Sequence, residues 1–213
     1  MLASSLTALN LALTVAITWL AYKQRSTIIR LNTQLTIAQY DAAHDDLTGL
    51  LNRRAILAHL KKQLDAARPV SVALLDLDDF KGINDTHGHD AGDAALTEAA
   101  RQLKALPVTI GRLGGDEFLM IATADERTGF AHAAAAQAAI ASARIDAAGQ
   151  TVQLSATAGV AHAAGGVSAP ELLRRADRAM YGAKIAGAPI RAYHDQIPDV
   201  PAHAPQRRRT YRP

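Results

Sequence analysis

The chain has 213 residues, room for one ordinary domain of ~150 residues with flanking segments and too little for two full-sized domains. With 49% hydrophobic and 20% charged residues it is not generally disordered, and without cysteine it has no disulfide, thiolate zinc site or cysteine nucleophile. The net charge of +3 is carried by the C-terminal stretch, where Asp199 stands with Arg207, Arg208, Arg209 and Arg212, so residues 1–196 are neutral overall and no nucleic-acid-binding face follows.

Residues 1–22 contain no charged side chain, and Leu2, Leu6, Leu9, Leu11, Leu13, Val15, Ile17, Trp19 and Leu20 make a stretch long enough to span a bilayer as one helix. A signal peptide or an amphipathic surface helix is the alternative. Both fit less well, because Lys23, Arg25 and Arg30 follow the apolar run instead of preceding it. The same charges place the C-terminal side in the cytoplasm, giving a single-pass protein of the inner (cytoplasmic) membrane. Residues 23–44 form a helical linker, and from Ala21 onward the positions Ala21, Ile28, Leu31, Leu35, Ala38 and Ala42 follow an alternating three-and-four spacing. That is the seam of a short parallel coiled coil or, equally, one face of a plain connecting helix.

Arg53 to Ala67 reads as a helix stopped by Pro69, and the apolar run Val70 to Leu77 as a strand buried on both faces. Ala91 to Leu106 is helical; Val108 to Leu113 and Glu117 to Ala122 are two strands joined at Gly114-Gly115. Phe130 to Ala143 is a helix, Thr151 to Ala161 a strand and Pro170 to Ile185 a last helix. The predicted class is α/β (α+β), a mixed sheet flanked by helices and preceded by one transmembrane helix. Residues 196–213, rich in Pro and Arg, read as a disordered tail; contact of the arginines with anionic lipid is the alternative.

Chemistry concentrates at the end of the buried strand. Asp76 and Asp78 alternate with Leu77, so they share a side while Leu77 faces the core, and Asn84, Asp85, His87, His89, Asp90 and Asp93 follow. A second acidic turn, Gly114-Gly115-Asp116-Glu117, carries two glycines that permit positive φ and leave amides bare to an anion. If the hairpin lies beside the first strand, Asp76 and Asp116 face each other, and two close carboxylates share a proton or bind a cation. Oxygen ligands with water to spare suit magnesium held with substrate phosphates, with manganese a possible substitute. The bland alternative, capped turns with solvated acids, explains one acidic turn more easily than two. His87 and His89 at i, i+2 suit turn chemistry better than zinc.

These residues resemble the GGDEF family of diguanylate cyclases from about Asp45 to Gly187, and residues 45–195 are identified as such a domain. Four motifs in order carry the resemblance: Asp46-Leu47-Thr48-Gly49-Leu50-Leu51-Asn52-Arg53-Arg54, the segment Asp76 to Asp93, Gly114 to Phe118, and Ala176-Asp177 to Lys184. The resemblance implies a cyclase-like, polymerase-palm-like domain that condenses two GTP into cyclic di-GMP and two pyrophosphates, as a dimer because each domain presents one GTP. It implies Asp76, the Leu77 carbonyl and Asp116 as magnesium ligands with Glu117 nearby, and Asn84 and Asp93 as guanine contacts. It also implies His89, Gly114 and Gly115 in nucleotide binding, Asp116 as proton acceptor for the 3′-hydroxyl, and Lys184 against the charge that builds on the triphosphate.

Two departures from the family pattern stand out. The inhibitory Arg-x-x-Asp that many members carry is replaced by Ala105 and Val108 in a shortened segment, so no product feedback through that site is expected. After Lys184 the family's basic residue is missing, since Gly187 is followed by Ala188 and Pro189, with Arg191 as the conceivable substitute. One charge-assisted hydrogen bond is worth ~1.5 to 3 kcal/mol, or about one to two powers of ten in rate. The leading expectation is a membrane-tethered cyclase; the alternative is a catalytically weak or inactive GTP-binding sensor. A structural module has no use for this residue set, and extension of a nucleic acid lacks a basic, aromatic-lined groove at 4% aromatic residues.

Overall fold

The structure is a computed structural model that describes residues 2–194, with side chains at 13, 14 and 16–194. The described residues divide into two units that part between Ala42 and Ala43. The first is the greater part of helix α1 (Leu2–Ala43), in which Thr18, Thr27, Thr33 and Thr36 donate their hydroxyls to carbonyls one turn back. Ile28, Leu31 and Leu35 each remain more than half exposed. Among the described residues no helix is long and apolar enough to cross a membrane. The side chains of residues 1–12, most of the expected membrane-spanning stretch, and the expected tail 196–213 lie outside the described residues.

The second unit is built on a five-stranded sheet in the order β2-β3-β1-β6-β7, with β1 Val70–Leu77, β2 Thr109–Gly114, β3 Glu117–Ala122, β6 Ala156–Ala163 and β7 Ile190–Ala192. Neighbours are antiparallel except β6 and β7, which run parallel. A separate hairpin pairs β4 (Arg144–Ala147) with β5 (Gln150–Gln153). The helices are α2 (Arg53–Asp65), α3 (Phe80–His87), α4 (His89–Lys104), α5 (Glu126–Ser142) and α6 (Ala169–Ala186).

β1 is central and buried along its whole length, as its unbroken apolar run requires. Its residues feed two cores: Ala73, Leu75 and Leu77 pack with α4 and α5, whereas Val70, Val72 and Leu74 pack with α2 and α6. By the two-residue period of a strand, Asp76 belongs to the α2–α6 face. Helix α6 starts at Ser168, whose hydroxyl accepts from the Glu171 amide, and buries Leu172, Leu173, Ala176, Met180 and Ala183. It lies so close on β6 that a Cβ at Gly159 would stand 2.2 Å from the Ala176 carbonyl oxygen. That approach fixes where the C-terminal end of α6, and Lys184 on it, meets the end of β1.

One sequence expectation is revised, and further elements are added. The expected strand Thr151 to Ala161 is two strands, β5 and β6, because the Ser155 carbonyl between them accepts the Asp78 N–H at 3.0 Å and the chain changes sheets there. The acidic loop after Asp79 contains helix α3, and Ile190–Ala192 adds a parallel edge strand.

Candidate active site

β3 lies directly beside β1, which brings the two acidic turns to one end of the sheet. The residue opposite Asp76 on β3 is Glu117, and on β6 it is Thr157. Asp116 is one step nearer the turn, and its carbonyl accepts the Leu77 N–H at 3.2 Å. Asp76, Leu77, Asp116 and Glu117, the four expected metal-site residues, are thus neighbours in the ladder. Asp76 and Asp116 are 5% and 1% exposed. Carboxylates that deep need a compensating cation or hydrogen bonds. Lys184 supplies one to Asp76, with Nζ 2.5 Å from Oδ1. Asp78, which shares its side by alternation, accepts the Thr157 hydroxyl at 2.7 Å.

The turn itself depends on Gly114 and Gly115, at φ of 138° and 56°, where L side chains are rarely found. Arg112, next to the turn on β2, donates from Nε and Nη2 to the Gly115 carbonyl at 3.0 and 2.8 Å, and from Nη1 to Asp45 at 3.0 and 3.2 Å. Burial tends to raise the Asp45 carboxyl's pKa, but hydrogen bonds from the Thr48 hydroxyl and amide and from Arg112 outweigh it and hold the group below its ordinary value.

The remaining expected residues gather on α3 and α4. Asp79 sits in the left-handed region (φ 51°) and starts α3 without giving it a side-chain cap, which leaves first-turn amides at the end of β1 for an anion. Asn84 on α3 leans against α4 where Gly92 has no side chain; a Cβ there would meet the Asn84 Oδ1 at 2.1 Å. Asp93, the next residue, is exposed, and His89 is exposed in the first turn of α4. Asn84 and Asp93 therefore belong to one helix pair, and His89 opens its second member. Lys81, on the first turn of α3, is a cation that the sequence reading gave no role; a lysine three residues after the Asp78 carboxylate was the available signal.

Among the described residues no three His, Asp or Glu side chains converge to hold a metal by themselves. Two carboxylates completed by a backbone carbonyl and substrate phosphates are a donor set of the kind magnesium accepts, so the residues fit such an ion. Arg191, the conceivable substitute for a cation at position 188, lies against α6, its Nη1 donating to the Gly182 carbonyl at 3.3 Å.

A family model described as diguanylate cyclase, GGDEF domain, matches residues 42–189. The diguanylate cyclase VdcA of Vibrio cholerae is 36% identical over 167 residues, 75% of this chain and 49% of VdcA. The response regulator PleD of Caulobacter vibrioides is 38% identical over 163 residues, 68% of this chain and 35% of PleD. The chain spans about a fifth to a half of the length of such curated relatives. Among solved structures, the coiled coil and GGDEF domain of DgcB from Caulobacter crescentus, in complex with c-di-GMP, superposes with a TM-score of 0.72 at 26% identity, covering 80% of this chain and 95% of that one. The diguanylate cyclase SiaD of Pseudomonas aeruginosa, solved with its activator SiaC, gives 0.69 at 26% identity over 88% of this chain and 74% of that one. The chain belongs to the GGDEF diguanylate cyclase family.

Proposed function

We propose that the chain is a diguanylate cyclase that joins two GTP into cyclic di-GMP with release of two pyrophosphates. The observation that carries this is the meeting of Asp76, Asp116 and Glu117 at one sheet end with Lys184 already placed on Asp76. Asp76, the Leu77 carbonyl and Asp116, with Glu117 nearby, would hold magnesium or manganese, which would supply charge stabilisation for the transferring phosphoryl group. Asp116 accepts the proton of the attacking 3′-hydroxyl. Lys184 moves from Asp76 toward the triphosphate, and the uncapped first turn of α3 offers its amides to the same phosphates. The bare Gly114-Gly115 backbone lets the nucleotide approach. Asn84 and Asp93 read guanine, because a carboxylate accepts both the ring N–H and the exocyclic amine, and His89 borders the nucleotide.

Each half-site holds one GTP, so turnover needs a homodimer with two such ends face to face. The uncharged residues 1–22 followed by Lys23, Arg25 and Arg30 support placement at the cytoplasmic membrane with the domain inside the cell.

The test is incubation of the full chain with GTP and magnesium, with products resolved by chromatography and Asp116→Ala run in parallel. Cyclic di-GMP and pyrophosphate are expected from the wild type, and the variant should fall by about 10²- to 10⁴-fold, the range for loss of a general base. GTP that binds and is never consumed leads instead to the second reading, a nucleotide sensor. That reading is favoured by one observation, that Ala188 lacks a cation and Arg191 is engaged at Gly182.

A further inference from the structure

The peptide that joins Gly115 to Asp116 is held from an unexpected direction. A peptide unit is planar, so fixing the Gly115 carbonyl fixes the Asp116 N–H and, through it, the Asp116 Cα. Arg112 grips that carbonyl with two nitrogens at 3.0 and 2.8 Å. The next peptide is fixed as well, since the Asp116 carbonyl accepts the Leu77 amide. Asp116 is therefore pinned on both sides in a turn whose two glycines would otherwise leave it loose.

Arg112 is in turn anchored. Its side chain is 13% exposed and its third donor group, Nη1, meets both Asp45 oxygens. Asp45 belongs to the turn through which the chain enters the domain directly after α1. That turn is closed on itself by Asn52 N–H on the Ala43 carbonyl (2.9 Å) and tied to β2 by Arg112 N–H on the Leu51 carbonyl (2.8 Å). Thr48 gives Asp45 both its amide and its hydroxyl, at 2.9 and 2.6 Å. A guanidinium suits this place because its planar fork serves a carboxylate on one edge and a carbonyl on the other; an ammonium cannot span both.

We infer that Arg112 is a positioning residue for Asp116, with Asp45 as its anchor, so that the entry turn after α1 takes part in setting the place of the proton-accepting carboxylate. The inference rests on the cyclase reading for its kinetic consequence and on geometry alone for its structural one. A displacement of about 1 Å at a reacting group costs up to about 10²-fold in rate, so loss of the Asp45–Arg112–Gly115 connection is enough to slow turnover.

The experiment compares full-length wild type, Arg112→Lys and Asp45→Asn, with Lys104→Met as control. Lys104 ties the same turn through Nζ on the Thr48 carbonyl at 2.7 Å without touching Arg112 or Gly115. Hydrogen exchange is read at the Leu77 amide, and kcat and KM are measured with GTP and magnesium. In Arg112→Lys and Asp45→Asn, Leu77 should exchange about tenfold faster or more while amides in the middle of β1 keep their protection. Their kcat should fall about 10- to 100-fold with KM within about twofold, and the double variant should lose little beyond the worse single one. Lys104→Met should leave the Leu77 rate and kcat as in the wild type. Unchanged Leu77 exchange in both variants, equal acceleration in Lys104→Met, or loosening of all β1 amides together would overturn the inference. If the wild type turns over no GTP, the cyclase reading fails and the exchange measurements still decide the positioning.

Discussion

Asp45 is a carboxylate whose ionised form the fold favours: burial opposes the charge, and the Thr48 and Arg112 hydrogen bonds overcome that opposition. Because the folded group titrates below its ordinary value of 3.8, its contribution to stability is present above pH 3.8 and disappears as pH falls through the lower, folded value. The stability gap between wild type and Asp45→Asn, read from urea midpoints across a pH series, should be full at neutral pH and close in acid below 3.8. A gap that persists unchanged there means that Asp45 acts through its shape and not its charge. Position 188 shows the opposite case, a residue whose chemistry is missing. Gly187 ends α6 in the left-handed region at φ 62°, Ala188 donates its amide to the Ala183 carbonyl, and the Pro189 carbonyl accepts from Ala158. The chain is thus committed to β7 at once, and Arg191 lands across from Gly159 with its guanidinium on Gly182. A departure from a motif is legible in sequence; whether a neighbour compensates is decided by chain path, which it does not record.

At the scale of elements, what the sequence reveals depends on length and on boundary residues. β1 matches its expected span residue for residue because an apolar run between Pro69 and Asp78 admits one reading. α2 and α6 agree within two residues because Asn52 and Ser168 cap their starts. α3 escapes notice since its apolar face is only Phe80 and Ile83 among Gly82, Asn84 and Asp85, and that pair packs on the core while Asn84 lies against α4 at Gly92. β4 and β7 are too short to announce themselves. The same reasoning reaches the segment between α4 and β2. Ala105 closes α4, and the amides of Leu106 and Val108 fold back onto Leu103 and Leu106, making a tight turn with no arginine or aspartate at the positions of the family's inhibitory pair. A cavity of about 500 Å³ beside it is lined by Leu106, Pro107, Val108, Thr109, Thr123 and His132 among others, with no carboxylate or guanidinium to grip a cyclic dinucleotide. Initial rates at saturating GTP should therefore be unaffected by added cyclic di-GMP. Strong non-competitive inhibition would show that product binds elsewhere and arrests the domains.

For the molecule as a whole, the proposed cyclase activity requires two half-sites to meet. Helix α1 leaves Ile28, Leu31 and Leu35 at 56–57% exposure, an apolar row at the spacing of a coiled-coil seam, and leaves Ile29, Ile37 and Tyr40 exposed as well. A second copy of the helix covers the first row if that row is the seam. Two domains held on one such stalk experience each other at an effective concentration far above their bulk value, which is what a reaction between two bound nucleotides requires. Aspartates at Leu31 and Leu35 put like charges into that seam and should separate the chains. In the full-length protein at nanomolar concentration, activity per chain should fall about 10²-fold and return as concentration rises and the domains meet by diffusion. Sedimentation should report monomers over the range where activity is lost. Aspartates at Ile29 and Ile37 lie off the proposed seam and should change neither quantity. If the second pair silences the enzyme and the first does not, the helices pair through the other face. If neither does, the domains find each other without the stalk, and α1 serves placement of the chain alone.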